Sequence, residues 1–264
     1  MYGMLQGLWE YRSFIITSIR NEFIARFARS KLGGLWMIIH PLSQVAIYAL
    51  ILSNVLAAKL PGIDNKYAYA LYLMAGILAW NLFAEIVGRC LTVFIEQGNL
   101  MKKMRFPRIA LPVIVLGSCL LNNLLLFVAV FIVFALLGHM PSLQMLWLIP
   151  LTLTVTALAV GLGLVLGVLN VFVRDIGQVV PIVLQIWFWF TPIVYSLNII
   201  PENMRGALEF NPMFPVVTAY HDVLVYQVAP NLAHLGMAIG LAAALLLLGL
   251  FLFRRAAPEM VDSL

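Results

Sequence analysis

ALPVIVLGSCLLNNLLLFVAVFIVFALL, residues Ala110 to Leu137, contains no charged side chain over 28 positions. A helix needs roughly 20 predominantly apolar residues to cross a hydrocarbon core of about 30 Å. This stretch meets that length with residues to spare, and it is one of six. The others are 34–56, 69–95, 144–169, 179–198 and 232–253. The runs are long and continuous, not ten-residue alternations, which excludes a β-barrel. Over the whole chain of 264 residues, 63% are hydrophobic and 10% charged, where a soluble domain carries about 25% charged residues. The fold expected is therefore all-α and integral to the membrane. It forms one transmembrane domain over 1–264, with no internal repeat.

Orientation follows from lysine and arginine placement. Arg12, Arg20, Arg26, Arg29 and Lys31 precede the first span. Lys102, Lys103, Arg105 and Arg108 lie between the second and third, Arg174 between the fourth and fifth, and Arg254 and Arg255 after the sixth. These twelve share one side; Lys59, Lys66 and Arg205 are the three on the other. Both termini are expected in the cytoplasm. The charges that interrupt residues 1–32 also argue against a cleaved signal peptide. Cys90 and Cys119 sit in apolar stretches and read as small buried hydrophobes.

Three segments are not plain spans. In 5–31, Ile15, Ile19, Phe23 and Phe27 recur every four residues and form one helical stripe. That is an interfacial helix with snorkelling arginines, or else a basic cytoplasmic leader. In 96–109, Asn99 can cap a short helix and Pro107 can end it. The segment is a positive-inside anchor and also fits a docking helix for a cytoplasmic partner. In 199–231, Pro201, Pro212, Pro215 and Pro230 divide a stretch with two short helices at 202–210 and 215–228. A re-entrant hairpin on the outer side fits, as does a loop on the headgroups.

Inside the spans, Glu85 and Arg89 lie four apart in the favourable order for an ion pair on one helix. The alternative is that one of them faces a polar conduit. Trp187, Phe188, Trp189 and Phe190 cover every face of the fifth segment, and Tyr195 follows at the outer boundary. At least one of these rings must face protein or a channel, and sugars stack on such rings; lipid packing is the alternative. Gly163/Gly167 and Gly236/Gly240 permit close helix approach. No Gly-Lys dipeptide exists, so no phosphate-binding loop of Walker type is present. Intramembrane acids and histidines are too few for ion-coupled transport. An external enzyme site would have to draw on Glu202, Glu209, His221 and Asp222, which read as ordinary wet-face residues.

Four stretches in order resemble one family. They are NEFIARFARSKLGGLW (Asn21–Trp36) followed by His40-Pro41-Leu42; LMKKMRFPRIALP (Leu100–Pro112); Val173-Arg-Asp-Ile176 with FTPIVYS (Phe190–Ser196); and Asn211-Pro-Met213. Together they are similar to the permeases of ATP-binding-cassette exporters of the polysaccharide class, over nearly the whole chain. One departure is Tyr220-His221, where many members carry arginine soon after the Asn-Pro turn.

The resemblance implies a homodimer in the bacterial inner membrane, bound to separate ATPase chains that carry ATP and magnesium; this chain itself needs no cofactor. It implies export of a lipid-linked polysaccharide of O-antigen type. Leu100, Lys102, Lys103, Met104, Arg105 and Phe106 would form the segment that couples to the ATPase. Trp187, Trp189, Phe190 and Tyr195 would guide the sugar chain. Asn211, Pro212, Phe214 and Tyr220 would belong to the outer gate. Membrane lipids are the remaining partner, and no nucleic acid is implied. Permeases for capsule or teichoic-acid polymers, or for small drugs, would share the fold. A stand-alone channel or membrane enzyme is the more distant alternative.

Overall fold

The computed structural model describes the chain apart from residues 1, 29–34, 37, 41, 45, 48–67, 104–105, 141, 197–205, 207, 209 and 264. Among the described residues every regular element is helical. In chain order these are α1 (Tyr2–Glu10), α2 (Arg12–Ala28), α3 (Ala68–Glu96), α4 (Gly98–Lys103), α5 (Ala110–Leu136), α6 (Leu148–Phe172), α7 (Ile176–Phe190), α8 (Phe214–His221) and α9 (Leu232–Ser263). A tight 3₁₀ turn, Leu143–Trp147, leads into α6.

Among the described residues four helices are long and apolar enough to cross a membrane: Ala68–Glu96, Ala110–Leu136, Leu143–Phe172 with its leading turn, and Leu232–Met260. They agree with the second, third, fourth and sixth spans expected, and α9 runs on past 253 into the tail. Of the first span, 34–56, only residues 35–36, 38–40, 42–44 and 46–47 are described, all of them helical; the rest lies outside the described residues. The fifth differs from expectation. The 20-residue span 179–198 is instead a 15-residue helix, α7. At 1.5 Å per residue it reaches only about 22 Å, short of the hydrocarbon core. It stops at Thr191-Pro192, where proline cannot continue the ladder and the following backbone turns onto α3.

The ends of the long helices have local causes. Gly138, at φ +78°, closes α5 in a left-handed turn. There the His139 N–H donates to the Phe134 carbonyl (2.9 Å) and the Gly138 N–H to that of Ala135 (3.1 Å). This bonding pattern closes many helix C-termini, and an Asn or Gly is needed at the left-handed position. The His139 ring then packs edge-on to Phe134, 5.6 Å between centroids. At the start of α9 the Asn231 Oδ1 accepts from the N–H groups of Ala233 and His234 (3.0 and 3.4 Å), satisfying donors that a helix start leaves open.

α3 is the centre of the bundle. In its most apolar stretch 78% of residues are buried, against 28% for α5 and 22% for α9. α3 has the lowest mean hydropathy of the four and carries Glu85 and Arg89, which hydrocarbon solvates poorly, so it lies inside, while the more apolar α5 and α9 present wide apolar faces outward. Small residues on α6 bring α3 and α9 close. A methyl placed on Gly163 would lie 2.7 Å from the Cys90 Cβ, and one on Gly167 would strike the Cys90 carbonyl. On the other flank, a methyl on Gly161 would lie 2.6 Å from the Leu245 carbonyl carbon, and one on Gly249 would lie 2.6 Å from the Gly161 oxygen. The Gly163/Gly167 pair thus packs as its spacing predicts. A methyl on Gly236 or Gly240 would meet no described residue within 4 Å, and α9 uses Gly249 instead.

Overpacking such a seam costs about 1–3 kcal/mol. Gly161→Leu is expected to lower the thermal unfolding midpoint of the detergent-purified chain by several degrees, while Gly236→Leu leaves it unchanged. Circular dichroism melts of the two variants check this.

Candidate functional site

Polar side chains gather at both ends of the bundle. At the end where α5 begins and α9 finishes, α2 runs alongside α5. Its contacts advance in step: the Phe14 ring lies 5.9 Å from Phe106, Ile19 covers Gly117, and a Glu22 oxygen accepts from the Ser118 hydroxyl at 2.8 Å. The Ile15–Ile19–Phe23 stripe read as interfacial therefore has protein as its partner; Ile15 is buried, and Ile19 meets α5. The burial of Phe27 lies outside the described residues.

Glu22 also takes the Arg89 guanidinium, which donates to its Oε1. Arg89 in turn reaches the Cys119 sulfur at 3.6 Å. Four residues earlier on α3, Glu85 accepts from the Asn122 amide at 2.6 Å. Each of the two residues read as a pair along one helix thus has a partner on another helix, Arg89 with Glu22 of α2 and Glu85 with Asn122 of α5. A charge in low dielectric is tolerated when paired and hydrogen-bonded. This network ties the N-terminal helix to the two spans flanking the basic segment. Glu22, Ser118 and Asn122 were not singled out from sequence, because helical spacing cannot reveal a pair 67 residues apart.

The basic segment itself is braced. α4 is a six-residue helix with Lys102 and Lys103 at its end, both exposed, and Leu100 half-buried. Met104 and Arg105 lie outside the described residues. Phe106 packs on α2 as above. Pro107 rests on Gly7 of α1, where a methyl would lie 3.4 Å away. The Arg108 guanidinium donates to the Ala257 carbonyl of α9. Three elements from distant parts of the chain thus hold one short loop.

At the opposite end the hub is Asn211. Its Nδ2 donates to the Phe190 carbonyl (3.1 Å) and the Thr191 hydroxyl (3.0 Å). Its Oδ1 accepts from the Trp187 indole (2.8 Å) and the Met213 N–H (2.9 Å). All four hydrogen bonds a primary amide can make are filled. The segment Thr191–Ser196, freed from helix by Pro192, is held from the other side by α3. The Tyr69 hydroxyl donates to the Val194 carbonyl, and that of Tyr72 lies 3.2 Å from the carbonyls of Pro192 and Tyr195. Non-helical backbone at such depth must be satisfied by protein, and these tyrosines do so.

Tyr220 and His221 anchor α8 between two helices. The Tyr220 hydroxyl meets Thr152 of α6 at 3.0 Å. The His221 ring stacks on Tyr72 of α3, 3.6 Å between centroids and 17° from parallel. Burial outside the spans pushes His221 down to about 3, so it stacks as a neutral ring. The departure at Tyr220-His221 is thus a buried clamp. Beyond α8 the chain makes a wide π turn, Asp222–Tyr226. Gln227, at φ 56°, then donates to the Met140 carbonyl at 2.7 Å, fastening this segment to the α5–α6 turn. Pro212 and Phe214 flank the Asn211 turn, both half-buried.

The aromatics of α7 divide. Phe188 is buried, 5.7 Å from Trp80. Trp187 is committed to Asn211 and packs edge-on to Phe83 (5.2 Å). Trp189 and Phe190 are 53% and 64% exposed, and the Tyr195 hydroxyl donates to the Trp189 carbonyl at 2.9 Å. One face of α7 therefore stands open at its aromatic end.

Long apolar helices with a braced basic loop at one end and a folded-back turn at the other make a polytopic membrane subunit. The chain belongs to the ABC-2 type transporter family, whose model matches residues 14–225. It is 25% identical over 266 residues to the O-antigen export system permease protein RfbA of Myxococcus xanthus, covering all of both chains. It is 28% identical over 215 residues to the protein of the same name from Klebsiella pneumoniae, 80% of each chain. To the polysialic acid transport protein KpsM of Escherichia coli it is 25% identical over 248 residues, 92% of this chain and 93% of that one.

Two outcomes follow. Asn211→Ala leaves the Trp187 indole and the Met213 N–H without their acceptor, at about 1–3 kcal/mol per orphaned buried group; a clear loss of thermal stability is expected, with Asn211→Asp intermediate. Glu22→Gln and Arg89→Gln are expected to be non-additive, with a coupling of about 1 kcal/mol in a double-mutant cycle of unfolding.

Proposed function

We propose that this chain is the membrane subunit of an ATP-driven exporter. It carries lipid-linked polysaccharide of O-antigen type across the bacterial inner membrane, as a homodimer with both termini in the cytoplasm. Membership of the ABC-2 family implies an ATP-binding-cassette partner subunit. The names of the relatives, O-antigen export and polysialic acid transport, support a polysaccharide as cargo. ATP and magnesium belong to the partner chain; this one is not an enzyme.

The observation that carries the reading is the braced loop at Leu100–Arg108. A lever transmits force only if it is stiff where it joins the load. Phe106 on α2, Pro107 on α1 and Arg108 on α9 make that joint, and α4 presents Lys102 and Lys103 outward. A motor seated on α4 would move α1, α2 and α9 together. The Glu22–Arg89 pair would pass that motion to α3. In the dimer the open face of α7, with Trp189 and Phe190, would border the path of the sugar chain, and Asn211 and α8 would support its exit.

Exchanging Lys102, Lys103 and Arg105 together for glutamate is expected to abolish export while membrane insertion persists. Surface polymer and membrane-fraction immunoblots are the two readouts. Undiminished surface polymer in that variant refutes the coupling role.

A further inference from the structure

One large cavity lies far from the α7 face and the Asn211 hub. It has a volume of about 790 Å³ and sits between α5, α6 and α9. Pro112 and Leu116 of α5, Leu164 of α6 and Leu250 of α9 form its walls. Leu8 of α1 closes one end, and Arg254 and Arg255 line the same cavity. We read that end as the membrane boundary, because Arg254 and Arg255 end the apolar run of α9 and Arg108 precedes that of α5. Among the described residues, every lining residue apart from the two arginines is apolar.

The shape and chemistry together select an occupant. From Leu247 to Arg254, seven residue steps along α9, the cavity runs about 10 Å along the helix, a depth that acyl chains occupy in any bilayer. Along that depth the described lining residues other than the arginines are apolar and offer no hydrogen-bond partner, which suits an unbranched hydrocarbon chain. Arg254 and Arg255, consecutive on α9, both line the cavity and bring guanidinium donors suited to a phosphate. Basic pockets between membrane helices near the cytoplasmic boundary favour anionic lipid headgroups.

We propose that this cavity is a binding site for one anionic phospholipid. Its phosphate rests on Arg254 and Arg255, and an acyl chain lies between α5 and α9 against α6. The lipid fills the joint among α1, α5 and α9, directly behind the Pro107–Arg108 brace. The inference depends on α9 crossing the membrane and not on the identity of the cargo.

Native mass spectrometry of the full chain in detergent tests it, with titration of phosphatidylglycerol and phosphatidylcholine of identical acyl chains. One phosphatidylglycerol per chain should be retained at a concentration at least fivefold below that needed for phosphatidylcholine. Arg254→Gln/Arg255→Gln should erase that preference. Arg20→Gln/Arg174→Gln, which removes two cations elsewhere, should keep it. Leu116→Trp should weaken retention of both lipids by filling the slot. Excess glycerol phosphate should fail to displace the bound lipid, because the acyl chain carries much of the binding. Equal retention of the two lipids by the unaltered chain, or an undiminished preference in the double glutamine variant, overturns the proposal. So does ready displacement by glycerol phosphate, which would mark a site for phosphate alone.

Discussion

Gly163 and Gly167 let the backbone of α6 close on Cys90 of α3, and much else in the molecule depends on that contact. In hydrocarbon, apolar side chains gain little by leaving lipid for protein, so helix association rests on close packing and on internal hydrogen bonds. A helix enclosed on all sides needs neighbours that can approach to backbone distance. α6 does this for α3 on one flank and for α9, through Gly161 and Gly249, on the other. With α3 held in the middle, its polar side chains become attachment points for everything around it.

Those attachment points sit towards opposite ends of one helix. Tyr69 and Tyr72 hold the non-helical stretch after α7, and Tyr72 also receives His221 of α8. Arg89 holds α2 through Glu22. Between them runs a rigid, buried rod. A displacement imposed on the braced loop and α2 therefore has a continuous solid path to the turn built around Asn211. Each end is a polar network with its main partners filled, which favours one arrangement over a slack ensemble.

Hydropathy and length made the long spans legible, since a run such as 110–137 has one solution in a bilayer. The short basic helix and the proline-marked turn at Asn211 could also be read directly. The fifth span could not. Residues 191–196 sit in an apolar run that passes as helix, and only the tyrosines of α3, more than a hundred residues away, explain how their backbone leaves the helical ladder and stays satisfied. Glu85 and Arg89 were visible as a spacing of four, yet their partners Glu22, Ser118 and Asn122 lie on other helices. Trp187 and Trp189 look equivalent in sequence; one is locked to Asn211 and the other is exposed.

The sequence by itself determined that this chain lives in a membrane, which four long segments are apolar enough to cross it and where its basic segment lies, because those follow from the cost of placing charge and open backbone in hydrocarbon. Tertiary structure alone decided which polar residues meet. Hydrogen bonds and ion pairs between distant segments depend on how helices rotate and cross, and that is set by seams such as Gly161 on Leu245, which no local period encodes.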